Sequence, residues 1–459
     1  MQSHIRIKLF FLFILIILFV FLIFQNGLYN YFSQDDFANI YLGWYRSPID
    51  ILSIFTVFLS NPLNAYRPIP YHLFGYITVS FLNLNPVIVH GIIFGIHILN
   101  IALLWKFFGH FFRNRIVVFT GCLLYGISSV HFGFLYWWSA DYVGFGTLFL
   151  LIVFLLFFRY ERTKNPITGC LIVLVYIATM LSNEGLFMAP LLLLGYQIFF
   201  RQKLSLRLES ILLILSAISV AFHFLISGFK LMPDYQPGNF VEVLKAIQWY
   251  ILRAVNVPES IRAMDQNLFI LSIALLFLLF FIFGVFIYSA LRHKQNVNRR
   301  LILFGCAWFF AFSLPYFLLV HHLSPYYLNS SLIGIVTISM CVISPVFKKY
   351  HHINILLLVL LLVSYGTLSF ITVRFLQKNH WIVWRGEIAR KYLKKTLAKY
   401  PNLPDNSMVL FHNTSVPPGE LNNTLYGNRG LRLFYRNRTL NTEFMEQKDN
   451  LPYTYEITD

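Results

Sequence analysis

Stretches of about 20 consecutive apolar residues, the length an α-helix needs to cross the hydrocarbon core of a bilayer, recur from Leu9 almost to Val373. With 58% of its 459 residues hydrophobic and 12% charged, the chain is too apolar to close around one soluble core. The alternating pattern of an outer-membrane barrel is absent. The sequence is therefore read as an all-α polytopic membrane protein. The expected spans are Leu9 to Leu28, Pro86 to Phe108, Ile116 to Val130, Tyr142 to Phe158, Ile167 to Leu181, Leu186 to Phe200, Ile211 to Phe229, Leu268 to Leu291, Leu301 to Val320, Leu328 to Val346 and Ile353 to Val373, about eleven in all.

Charge sets the expected orientation. Basic residues cluster at Arg6 and Lys8, at Lys106, Arg113 and Arg115, at Arg159, Arg162 and Lys164, at Arg201, Lys203 and Arg207, at Arg292, Lys294, Arg299 and Arg300, and at Lys348 and Lys349. By the positive-inside rule those connections are cytoplasmic. The alternate connections hold Asp35, Asp36, Asp50, Asp141, Glu184, Asp234, Glu242, Glu259 and Asp265 and face outward. The net charge of +17 thus reports topology, since no basic face with interleaved aromatics points to nucleic acid. The first apolar run is longer than a signal-peptide core and lacks a small-residue cleavage site, so it is read as a retained anchor. Cys122, Cys170, Cys306 and Cys341 lie in apolar runs without paired spacing, which argues against a zinc site or disulfide framework.

Two regions follow. Residues 1–373 form the transmembrane domain, with a first outer loop over about 29–85, and residues 374–459 an outward carboxyl-terminal segment or small domain. In that segment Gly386 to Tyr400 reads as a basic amphipathic helix stopped by Pro401 and Pro404, and Ser407 to His412 as the start of a strand.

Acids near a bilayer are costly to desolvate unless they face water, a partner or a substrate, and the pair Asp35-Asp36 stands just beyond the first span. Phe37, Ile40, Tyr41 and Trp44 recur at i, i+3, i+4 and i+7, as in an interfacial helix, with the two acids at its amino end. Asp favours that position because it accepts orphan backbone N–H groups. Successive helix residues point about 100° apart, however, so capping accounts for one of the two. Further candidates are Tyr66, Arg67 and His72 in the same loop, Arg67 serving as a fork for lipid phosphate or for the phosphate of a bound substrate. His131 and Asp141 frame an outer turn whose Tyr136, Trp137 and Trp138 fit an aromatic belt, Glu184 follows the fifth span, and His321, His322, Tyr326 and Tyr327 crowd another turn. His90, His97 and Asn100 share one face of the second span, suited to bonding between helices.

The order of Asp35-Asp36, Tyr66-Arg67-Pro68, His97 with Asn100, His131, Asn183-Glu184-Gly185 with Pro190, and Ser324-Pro325-Tyr326-Tyr327-Leu328 resembles the GT-C superfamily of integral-membrane glycosyltransferases, which includes protein O-mannosyltransferases and the aminoarabinose transferases of lipid A. The likeness runs over roughly Leu9 to Val346. It implies a polyprenyl-phosphate sugar donor, a glycan, lipid or protein acceptor, a place in the membrane of a bacterial cell envelope, and a catalytic or positioning role for Asp35, with Asp36 as the second acid. Two positions depart from the pattern: Tyr326 stands where an Arg is frequent, and Asn183-Glu184 where the family has Lys-Glu. The expected site therefore has Asp35 and Asp36 as catalytic acids and Arg67, Tyr66, Tyr326 and Tyr327 at the donor phosphate. His72, His131, Asp141, Glu184, His321 and His322 line the cavity, and no cofactor is required beyond an optional divalent cation on Asp36. The rival readings are a lipid or solute transporter, for which paired broken helices in two halves are lacking, and a polymerase or ligase of lipid-linked glycans.

Overall fold

The computed structural model describes residues 2–45, 49–50, 66–201, 206–227, 236–259, 261–292, 298–346, 351–446 and 455–459. Lys203, Asp234, Lys294, Lys348, Lys349 and the middle of the first outer loop lie outside them. The described chain is mostly helical, and six of its helices are long and apolar enough to cross a membrane: Phe10–Tyr29, Pro86–Phe111, Trp138–Thr163, Gln266–Arg292, Arg299–Phe317 and Ile353–Asn379. The protein is a multi-pass membrane protein.

The eleven crossings read from the sequence are not all met. Arg115–Gly126 and Ser129–Tyr136 form a pair bent by 40°, which makes a seventh crossing if it counts as one span. Pro166–Met180 and Leu332–Val346 are 15 residues each, about 22 Å at 1.5 Å per residue, short of a hydrocarbon core of about 30 Å. The run from Leu186 to Phe200 is divided between a helix over Ala189–Tyr196 and a π-helical turn over Gln197–Arg201. The helix Leu206–Ser227 begins with Arg207 and Glu209 in its first turns. Apolar content marked these segments, but length and continuity limit what they span.

Polar groups inside the bundle are tied to neighbouring helices. His97 Nε2 lies 2.9 Å from the Gly126 carbonyl and Asn100 donates to the Gly144 carbonyl at 3.1 Å, so both join the second span to its neighbours as expected. Cys122 and Cys341 are buried, whereas Cys170 is exposed on the bundle's outer surface.

The helix Asp35–Leu42 does not rest on lipid. Phe37 and Ile40 are fully buried, Phe37 edge-on to Phe434 at 6.4 Å, while Arg429 and Arg438 lie over Tyr41, and Arg438 also over Trp44 at 4.7 Å. Protein covers the face that periodicity assigned to the membrane. The cover is the carboxyl-terminal segment, which folds as a helix over Trp381–Lys399, a three-stranded all-parallel sheet and two short helices, Pro418–Leu425 and Arg429–Tyr435. The central strand β1, Met408–Phe411, pairs on one side with β2, Asn441–Phe444, in the register Met408 to Asn441. On the other side it pairs with β3, Tyr455–Ile457, Val409 opposite Tyr455. Parallel neighbours require crossover connections, and the two short helices supply the one from β1 to β2.

This segment docks on the chain that leaves the first span. Asn30 Nδ2 donates to the carbonyls of Tyr136 and Ile382, Gln34 N donates to the Thr424 carbonyl at 2.7 Å, and Tyr31 stacks on Phe434 at 5.9 Å. It therefore lies at the end of the first span opposite residue 2. The approach is close enough to need glycine, since a Cβ on Gly386 would stand 2.9 Å from the Tyr31 carbonyl oxygen. Gly386→Val forces the two apart and is expected to lower stability by about 1–3 kcal/mol. Faster tryptic release of the segment from the folded protein measures this, and unchanged cleavage would show that the docking tolerates a side chain.

Candidate functional site

The loop from Asn30 to Gln34 delivers two acids into different surroundings. Asp36 is 1% exposed; its Oδ2 accepts from Ser33 N at 3.1 Å and its Oδ1 accepts from Ser139 N and Ser139 Oγ, both at 2.8 Å. It turns back on the residues before its own helix and across to the 3-10 turn Trp138–Ala140. Burial pushes its carboxyl up to about 7, opposed by the bonds from Ser33 and Ser139 and reinforced by the charge of Asp35. Asp35, one position earlier and half-buried, makes no side-chain hydrogen bond among the described residues. Burial raises its carboxyl above the usual range, and the Arg385 guanidinium of the carboxyl-terminal segment draws it down.

Gln34, between the loop and the acids, has φ +50° and ψ −120°, a strained conformation for a residue with a side chain. Its backbone is held by Thr424 and its side-chain oxygen accepts from Arg385 at 2.6 Å, while Arg385 also forks onto Glu420 at 2.6 and 3.1 Å. The carboxyl-terminal segment thus fixes the backbone from which Asp35 projects.

Ser139 continues the network. Its Oγ accepts from Asn39 Nδ2 at 3.1 Å and its carbonyl accepts from the Tyr71 hydroxyl at 2.9 Å; burial keeps Tyr71 protonated by raising its hydroxyl well above the usual range. Tyr71 in turn accepts from Arg67 at 2.8 Å, and Arg67 forks onto Glu184 through Nε at 2.9 Å and through its second terminal nitrogen at 2.5 Å. The guanidinium lies 3.5 Å over the Tyr142 ring. One bonded chain therefore runs from Asp36 through Ser139, Tyr71 and Arg67 to Glu184. Asp141, fully buried, interacts electrostatically with Asp36 and Arg67, and neither of its oxygens has a hydrogen-bond partner among the described residues. Tyr142, Tyr316 and Tyr326 close the side near Arg67, Tyr326 facing Tyr142 at 6.4 Å and stacked rings of Tyr316 and Tyr327 lying 4.2 Å apart.

Several sequence expectations change. Arg67 and Glu184, assigned separate duties, form one ion pair, and three of the five guanidinium N–H groups are already donated, so the edge expected to clasp phosphate is held by Glu184. His72 is not at the network: its Nδ1 bonds the Tyr45 hydroxyl at 2.5 Å and burial pushes it down to about 4. His131 is buried between helices, with Nε2 2.7 Å from the Tyr125 carbonyl and its ring 4.4 Å from His97. Both histidines are packed side chains with their own bonding partners. Tyr136, Trp137 and Trp138 form no belt; all are buried, Trp138 stacking on Phe74 at 5.9 Å. Tyr66 faces Phe222 at 5.7 Å, His321 is exposed, and His322 lies 6.0 Å from Tyr327. Asp36 does not suit a divalent cation, because its oxygens already accept three hydrogen bonds and among the described residues no three His, Cys, Asp or Glu side chains converge. Ser139, Tyr142, Tyr316 and Arg385 were missed. A lone serine or tyrosine carries no pattern, and only the fold brings Arg385 to Asp35.

No protein-family model, curated protein or solved structure matches this chain.

Because the folded carboxyl of Asp36 is raised, its contribution to stability is complete below the unfolded value near 3.8 and is lost as pH rises through about 7. The melting temperature in nanodiscs is expected to fall over that window in the wild type and to vary less in Asp36→Asn; equal slopes would refute the assignment. Glu184→Gln leaves the Arg67 charge in a site where the pair is 14% and 27% exposed. A loss of about 2 kcal/mol is expected, between the values for exposed and buried pairs, and chemical denaturation measures it.

Proposed function

We propose that this protein is a GT-C-type glycosyltransferase that moves a sugar from a polyprenyl-phosphate donor to a hydroxyl of a glycan, lipid or protein acceptor. The observation that carries the reading is the contrast between neighbouring acids: Asp36 is locked into the fold, while Asp35 keeps a carboxylate without side-chain hydrogen bonds among the described residues. A general base needs that freedom to reach the proton it removes. Its raised proton affinity brings it nearer the working pH, where a base transfers protons effectively.

In this scheme the acceptor O–H gives its proton to Asp35 as its oxygen bonds to the anomeric carbon. The bond from that carbon to the phosphate oxygen breaks, and its electron pair leaves with the polyprenyl phosphate. One displacement inverts the anomeric centre. The leaving phosphate already spreads its charge, so hydrogen-bond donors serve where an acid is not needed. Tyr142 and Tyr326 and the two remaining N–H groups of Arg67 fill that role. Arg67 acts chiefly as a positioning residue, holding Tyr71 and through it Ser139 and Asp36.

The basic clusters support a reading with the amino terminus in the cytoplasm and the acids and carboxyl-terminal segment outside, and the resemblance to bacterial transferases supports the plasma membrane of a bacterial cell as the setting. Asp35→Asn retains size while removing the base, and transfer is expected to fall by about 10²–10⁴. Mass spectrometry of surface glycans reads this in cells whose only copy is the variant. Glycans identical to the wild type, at equal protein level, would sink the proposal. In the wild type, activity should decline on acidification as Asp35 takes up a proton, at a pH above that of an ordinary aspartate.

A further inference from the structure

The helix that begins at Asp141 ends near a second site. Asp141–Thr163 has 23 residues, about 35 Å at 1.5 Å per residue, so its last turn lies at the membrane face opposite the acids. There a cavity of about 350 Å³ opens, with Trp105, Leu155 and Phe158 among its walls. Its polar lining is wholly basic: Lys106, His110, Arg115 and Arg162.

Three elements bring these groups together. Lys106 and His110 are one turn apart near the end of Pro86–Phe111, Arg115 opens the next helix, and Arg162 lies in the last turn of Asp141–Thr163. His110 is fixed in place: its ring lies flat on Phe158 at 4.0 Å and 7°, and its Nε2 meets the Tyr196 hydroxyl at 2.8 Å. Its electrostatic neighbours are Arg162 and Arg201, both cations. Arg162 donates Nε to the Phe158 carbonyl at 3.2 Å, which neutralises nothing. Lys106 and Arg115 have no hydrogen bond or ion pair from their side chains among the described residues. The acid adjacent in sequence, Glu161, is taken by Lys164 at 2.6 Å and by Gln197 at 3.1 Å.

Cations gathered without a counter-charge repel one another, and an anion between them relieves the repulsion. A phosphate suits two guanidinium groups and an ammonium, and the aromatic and aliphatic walls suit the apolar part of a lipid. Basic pockets between helix ends on the cytoplasmic side recur as headgroup sites. We propose that this cavity binds the phosphate headgroup of an anionic phospholipid from the leaflet opposite the acids. The site is independent of the glycosyltransferase reading and serves as an anchor whatever the chemistry at Asp35.

The test uses the full-length protein in nanodiscs of phosphatidylcholine with phosphatidylglycerol, followed by native mass spectrometry of the retained lipid. The wild type should retain phosphatidylglycerol in preference to phosphatidylcholine. Lys106→Gln/Arg115→Gln/Arg162→Gln should weaken that preference by up to about a hundredfold, as expected for the loss of three basic groups at an anionic surface. Arg115→Gln alone, a milder change, should weaken it several-fold and guards against misfolding of the triple variant. Arg299→Gln/Arg300→Gln, a basic pair outside the cavity, should leave it unchanged. Equal retention of both lipids by the wild type, or an equal loss in the Arg299/Arg300 variant, would overturn the proposal. Displacement of the lipid by millimolar inorganic phosphate would overturn it too, by assigning the pocket to the free anion.

Discussion

A carboxyl group taken out of water must receive hydrogen bonds or keep its proton, and Asp36 does some of each. The donors come from Ser33 and from Ser139, which lies more than a hundred residues away in the chain. Ser139 uses its backbone nitrogen, its hydroxyl and its carbonyl, so one small side chain in a single turn registers the helix of the acids against Tyr71 and thereby against Arg67 and Glu184. An aspartate or threonine there would alter the charge or the space in a buried junction. This end of the protein is organised around that contact.

Neighbouring acids in one environment compete for protons, and the fold separates them by direction. With Asp36 turned inward and half-protonated near neutral pH, Asp35 next to it is relieved of part of the repulsion that a full second charge would impose. Burial still raises the Asp35 carboxyl, and Arg385 draws it part of the way back. The strain at Gln34 belongs to the same device, because a relaxed backbone at that residue would turn the first helical turn, and with it Asp35, to another bearing.

The amino-acid sequence reveals most of the helices, because apolar content needs only a window to be seen. It also reveals that the two acids have separate surroundings, since helix geometry forbids a common one. The amphipathic helix before Pro401 and the strand near Ser407 likewise follow from local signals and appear as Trp381–Lys399 and Met408–Phe411. What local patterns do not carry is which apolar face meets lipid and which meets protein: Phe37, Ile40, Trp137 and Trp138 look alike in either place. Similarly, His72 and His131 have the residue type of a site but are satisfied by a tyrosine hydroxyl and a backbone carbonyl. Ser139 and Arg385 acquire meaning only through partners far along the chain. Span number suffered for a different reason, since hydropathy counts residues while a bilayer responds to unbroken length.

The three-stranded sheet sets an order of events in synthesis. Its edge strand, Tyr455–Ile457, comes far later in the chain than the loop before Asp35, yet it completes the body whose helices grip that loop. Membrane helices can be handed to the bilayer one after another as they emerge. Asp35 is made before most of the helical bundle and Arg385 after it, so the contacts of Arg385 with Asp35 and of Thr424 with Gln34 form only once that bundle has been synthesised. A nascent chain can therefore have its membrane helices inserted while the site is still unformed, and a stop before Trp381 would leave a threaded protein without a set position for Asp35.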